Sequence, residues 1–129
     1  MTLVAGTIIF TRADQSFFMV KDEQPIANFY TVKAHKHEED TPLGSLLSGM
    51  KNQLGLNLDN LRLDELAVWH RAQPDGSKDS TSLFTFEVVD PDKINMDRLA
   101  AVGMEFVNAK DALNLVKNVD MSGVIKMDA

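Results

Sequence analysis

Cysteine is missing from the chain, which excludes disulfides and thiolate metal sites and leaves oxygen and nitrogen as the only ligands for a metal. A reducing, cytoplasmic setting is compatible with that absence and is the expected location. No apolar run reaches the roughly 18–20 residues needed to cross a bilayer. No basic residue precedes the first apolar stretch and no small-residue cleavage signal follows it. A soluble chain without a targeting segment or membrane partner is therefore expected. Basic charge is also scarce, with 13 Lys and Arg against 19 Asp and Glu and a net charge of -6. Non-specific nucleic-acid binding needs concentrated Lys and Arg on one surface and is not expected here; local basic groups can still hold one small anion. The chain lacks an internal repeat, a low-complexity tract and an interdomain linker, and its 129 residues suit one domain spanning 1–129.

What the chain does contain is a succession of short strand patterns around one strong helix pattern. Leu3 to Thr11 is apolar at nearly every position and rich in β-branched residues, as suits a strand covered on both faces. Ala13 to Ser16 supplies a turn, Phe17 to Lys21 reads as the antiparallel partner, and a third extended stretch follows Pro25, from about Ala27 to His35. Leu61 to His70 and Ser80 to Val89 form a long hairpin around the turn signal Pro74-Asp75-Gly76. Met104 to Val107 reads as a short strand and Ala109 to Val116 as a second helix, while Asn118 to Ala129 carries no strong pattern and reads as an extension.

The firmest element is the helix expected over residues 42–54. Leu43, Leu46, Leu47, Met50 and Leu54 fall at i, i+3, i+4, i+7 and i+11, one continuous stripe. Asp40 or Thr41 suits the N-cap, Pro42 the first turn, and Gly55 the position just beyond the C-terminus. The sum is an α+β architecture, a mixed sheet between helices in an α/β/α sandwich.

In this setting the segment from Ala34 to Leu56 resembles the signature of the Nudix (MutT-like) hydrolase superfamily, G-x5-E-x7-R-E-U-x-E-E-x-G-U, where U is aliphatic. Anchored on Gly55 and Leu56, the register puts Met50 at an aliphatic position, Ala34 at the first Gly and Asp40 at the first Glu. Ser48 stands at the Arg, Gly49 at the next Glu, and Asn52 and Gln53 at the Glu pair. Val4-Ala5-Gly6 with its strand, Asn28-Phe29-Tyr30 before the box, and Met104 to Leu113 extend the resemblance over about residues 2–117. In the family the helix carboxylates hold Mg2+ or Mn2+ on a pyrophosphate and the Arg orients a catalytic Glu. Here only Asp40 keeps a carboxylate. Mg2+ dehydrates reluctantly and is held by anionic oxygens, and a general base alone contributes ~10²–10⁴-fold. The resemblance thus implies the fold together with a degenerate box and loss of the family's usual chemistry.

Three groups of candidate residues follow. Asp40, Glu87 and Glu105 are the carboxylates that would restore catalysis if the fold brought them to the cleft, and Asp97 and the neighbours Glu38 and Glu39 belong with them; the acidic run equally suits a solvated loop that favours the helix N-terminus. His35 and His37 point to one side of an extended chain and with Asp40 offer a weak transition-metal set. Lys33, His35, Lys36 and Lys51, with the amides of Asn52 and Gln53, form a candidate phosphate or nucleotide site. Trp69, beside His70 and Arg71 at a strand end, is the aromatic expected to be exposed for a ligand or partner.

The leading reading is a catalytically defective Nudix-like domain that binds a small phosphorylated ligand or a protein partner in a regulatory or accessory role, with no cofactor expected. The alternatives are a divergent nucleoside diphosphate-X pyrophosphohydrolase, which would need Mg2+ or Mn2+ and relocated carboxylates, and a homodimeric interaction module without a small ligand.

Overall fold

The computed structural model describes residues 2–22, 28–34, 41–72, 78–108, 110–111, 115 and 119–120. Thr2–Arg12 (β1) is the strand around which the rest is arranged, and its near-continuous apolar character follows from that position. It pairs in parallel with Lys78–Val88 (β5) on one side. On the other side its C-terminal half pairs antiparallel with Gln15–Lys21 (β2) and its N-terminal half antiparallel with Tyr30–Ala34 (β3). Leu61–Ala72 (β4) continues the sheet beyond β5, Met104–Asn108 (β6) lies outside β2, and Val119–Asp120 (β7) outside β4, completing a seven-stranded mixed sheet.

The β1–β2 hairpin closes through Ala13 and Asp14, both at positive φ (54° and 64°), the pair of left-handed conformations that matches the twist of a two-residue hairpin. The long hairpin of β4 and β5 runs somewhat further than its sequence pattern predicts. A bulge lies between Leu63 and Glu65; there the Thr85 hydroxyl accepts from the Glu65 amide (3.0 Å) and donates to the Glu65 carbonyl (3.2 Å), replacing interrupted ladder bonds. Asn60 ties the open end of the hairpin. Its side chain donates to the Asp90 carbonyl and accepts from the Asp90 amide, both at 2.9 Å.

Helix α1, Pro42–Asn52, begins where the sequence indicated, with the Thr41 hydroxyl accepting from the Gly44 amide. It ends two residues before the expected limit. Gln53 is the C-cap, Gly55 turns the chain at φ 68°, and the Leu56 amide donates back to the Met50 carbonyl. A short helix absent from the sequence reading, Met96–Ala101 (α2), is capped by Asn95 and buries Leu99. With one buried residue in six it leaves no periodic trace. Most of the helix expected over Ala109 to Val116, the turn at 73–77 and the extension beyond 120 lie outside the described residues, although Leu115 is helical and buried.

Two apolar clusters cover the two faces of the sheet. On one, Val4, Ile8, Met19, Phe86, Val88 and Met104 meet Leu46 and Met50 of α1 and Leu99 of α2. On the other, Ala5, Val20, Ala67 and Leu83 pack with Phe29, Trp69 and Leu115. Gly6 sets how closely α1 approaches: a Cβ there would lie 2.8 Å from a Leu46 methyl, so the absent side chain is what seats the helix on β1.

Candidate functional site

The stripe that buries Leu46 and Met50 fixes the rotation of α1, and that rotation leaves Ser45, Ser48, Gly49, Asn52 and Gln53 along the side facing β3. Together with Thr31, Val32 and Lys33 of β3 they line a cleft of about 480 Å³. All four residues that the signature register assigns to the Arg and the last three Glu positions therefore converge on one hollow.

Tyr30 adjoins this cleft through two of its lining residues, Gln53 and Gly49. Its ring is 6% exposed, and its hydroxyl donates to Gln53 Oε1. A Cβ on Gly49 would collide with that hydroxyl and would lie 2.8 Å from Val32 Cγ1. The space into which a residue at position 49 would project thus holds the tyrosine tip. Asn52 Nδ2 donates to Ser48 Oγ at 3.2 Å, one helical turn back. Arg98 of α2 reaches the end of α1, where its guanidinium lies over Gly55 and near the Asn52 carbonyl, 3.5 Å away.

The electrostatics match this lining. Among the described lining residues Lys33 is the one cation; it follows Val32, which is turned to Gly49 of α1, so its side chain leaves β3 on the other face, and the rest of the lining carries hydroxyls, amides and no carboxylate. Such a set does not fit Mg2+ or Mn2+, which need anionic oxygens from the protein. Hydroxyls, amide N–H groups and an ammonium can instead surround an anion.

Burial pushes the Tyr30 hydroxyl up to about 12 from its ordinary value of 10.0. The phenol is therefore a neutral donor at neutral pH. Because the folded value lies above the unfolded one, the Tyr30 contribution to stability is complete below pH of about 10 and is lost as pH rises toward about 12. Tyr30 is the only tyrosine, so phenolate absorbance reads it directly. The native protein is expected to ionise well above the denatured chain, and Tyr30→Phe to flatten the corresponding part of the alkaline stability profile.

The remaining candidates are dispersed. Lys51 is exposed on α1 but does not line the cleft. His35, Lys36, His37, Glu38, Glu39 and Asp40 lie outside the described residues. Trp69 corrects the sequence reading: it is 2% exposed, with its ring edge-on to Phe29 at 5.1 Å on the face of the sheet away from α1. The polar neighbours His70 and Arg71 suggested exposure, but strand alternation turns Trp69 inward. The same alternation puts Glu87, between Phe86 and Val88, and Glu105, between Met104 and Phe106, on that opposite face. Glu87 lines a separate hollow of about 420 Å³ with Asp64 and Ile9. A third, apolar cavity of about 260 Å³ between Phe18, Phe29 and Leu83 lies on this side as well. No cluster of three or more His, Asp or Glu able to hold a metal occurs among the described residues, nor is any helix there long and apolar enough to span a membrane.

Thr31, Val32, Ser45, Ser48 and Gly49 line the cleft without having been among the candidate ligand residues. The available signal was Gly49, a glycine inside a helix on the side that faces an aromatic strand residue.

Solved structures that share this fold include three hydrolases. The Ap4A hydrolase of C. elegans superimposes with a TM-score of 0.63 at 12% identity, covering 91% of this chain and 88% of that one. RenU, a Nudix hydrolase of M. smegmatis, gives 0.62 at 11% identity, covering 88% and 74%. A binary complex of a C. elegans Ap4A hydrolase gives 0.61 at 11%, covering 90% and 85%. No protein-family profile and no curated protein sequence matches the chain. The fold is thus Nudix-like, a mixed sheet with helices packed on it; identities this low carry the fold alone.

Proposed function

We propose that this domain binds a small phosphorylated ligand in the cleft between α1 and β3 and does not hydrolyse it by the metal chemistry of the Nudix helix. One observation carries the reading. The four positions that would supply the Arg and three Glu side chains all line the cleft, and they hold Ser48, Gly49, Asn52 and Gln53, with Lys33 on its β3 side. The metal and base are disfavoured by the same substitutions that make the hollow a set of donors for phosphate oxygens. The fold neighbours include hydrolases named for Ap4A, so dinucleoside polyphosphates and ordinary nucleotides are the first ligands to try.

The test is to incubate the protein with these compounds and Mg2+, Mn2+ or a chelator, and to follow both product formation and binding. Binding without turnover is expected, weakened by about tenfold in Lys33→Ala, the worth of one charge-assisted hydrogen bond. Chelator-sensitive turnover that disappears in Glu87→Ala or Asp40→Ala would overturn the proposal in favour of a hydrolase with relocated carboxylates.

A further inference from the structure

Building on the phosphate reading of the cleft, we propose that it selects the metal-free form of its ligand, and that Gln53 is the specificity-determining residue that makes the choice. A carboxamide has one acceptor oxygen and one NH2 group with two donors. The oxygen of Gln53 is engaged by the Tyr30 hydroxyl at the base of the cleft. Tyr30 is held there by the core on one side and by the missing side chain of Gly49 on the other. With its oxygen so engaged, the amide has its NH2 group as the end not taken by Tyr30, in the hollow that Gln53 lines.

An N–H donor attracts bare phosphate oxygens and repels a cation carried by them, and Lys33 on the β3 side of the cleft acts in the same sense. Mg2+ and the cleft therefore compete for the same oxygens, and linkage requires that affinity fall as Mg2+ rises. A glutamate at position 53 would have the opposite effect. It too accepts from Tyr30, but its second oxygen is anionic, so bare phosphate is repelled and a phosphate-bound metal is welcomed. One change of NH2 to oxygen inverts the sign of the Mg2+ dependence.

The probe is inorganic pyrophosphate, titrated calorimetrically into the full chain in metal-free buffer and then with increasing Mg2+. Wild-type affinity is expected to fall about tenfold or more once the pyrophosphate is magnesium-complexed, within the usual range of coupling between two ligands. Gln53→Glu is expected to lose about 10- to 100-fold of the metal-free affinity and to regain binding with Mg2+. Gln53→Met should lose metal-free affinity and gain no Mg2+ response. Affinity that is unchanged or rises with Mg2+ in the wild type overturns this inference and leaves the phosphate site standing, as does a Gln53→Glu variant that titrates like the wild type. Absence of pyrophosphate binding under every condition removes the phosphate reading itself and this inference with it. If Gln53→Glu does not fold, the wild-type comparison with and without Mg2+ still decides.

Discussion

Gly49→Ala is expected to destabilise the protein by about 1–3 kcal/mol, the usual cost of forcing extra atoms into a packed site. The sign is the informative part, because the same substitution in an unobstructed helix stabilises by up to about 1 kcal/mol. At Gly49 a methyl group meets the Tyr30 hydroxyl and Val32 Cγ1, so the steric term exceeds the propensity gain. Gly49→Glu, which writes the signature residue back into the helix, should cost more, since a longer side chain must either displace Tyr30 or turn α1. The two sites are coupled: Tyr30→Phe removes the nearest atom, so the double variant Gly49→Ala/Tyr30→Phe should be more stable than the sum of the single changes implies, by about 0.5–3 kcal/mol. Denaturant unfolding of the four proteins measures this cycle. Stabilisation by Gly49→Ala, or strict additivity, would show that the tyrosine does not occupy the carboxylate's place.

Trp69→Ala is expected to have the largest effect on stability of any substitution considered, about 3–5 kcal/mol, out of a total that for a domain of this kind is about 5–15 kcal/mol. Its indole sits against Phe29 in the cluster with Ala67, Leu83 and Leu115, so truncation opens a cavity in that packed face. The sole tryptophan also reports its own surroundings: native emission should be blue-shifted and insensitive to aqueous quenchers, and phosphorylated ligands should leave it unchanged. Red-shifted, quenchable native emission would place Trp69 at the surface, where the sequence had suggested it.

That contrast marks where legibility ended. The apolar stripe of α1 could be read because its burial repeats with a fixed period, the strands β1, β4 and β5 because apolar and β-branched residues recur along them between turn signals, and Gly55 marked the helix end by its left-handed turn. The register of the box rests on the same stripe, and the four residues it gives to the Arg and last three Glu positions, Ser48, Gly49, Asn52 and Gln53, line one cleft. Which strand residues met them was not, because the pairing of β3 with β1 across more than twenty residues of chain is a tertiary fact. Glu87 and Glu105 looked available only while the direction of each strand residue was unknown. Tyr30 is a core residue, but the bond from its hydroxyl to Gln53 of the cleft is one that composition cannot reveal. Periodicity locates a helix face; it does not say what that face is packed against.

The most direct measurement is amide chemical-shift mapping of the labelled protein during titration with nucleoside di- and triphosphates and Ap4A, the ligand being followed in the phosphorus spectrum of the same sample with Mg2+ present. Shifts concentrated at Thr31, Lys33, Ser48, Asn52 and Gln53, with the ligand intact, are the expected result. Conversion of the ligand to products, or shifts clustered around Asp64 and Glu87 on the opposite face, would contradict the assignment of the α1/β3 cleft as a non-hydrolytic phosphate site.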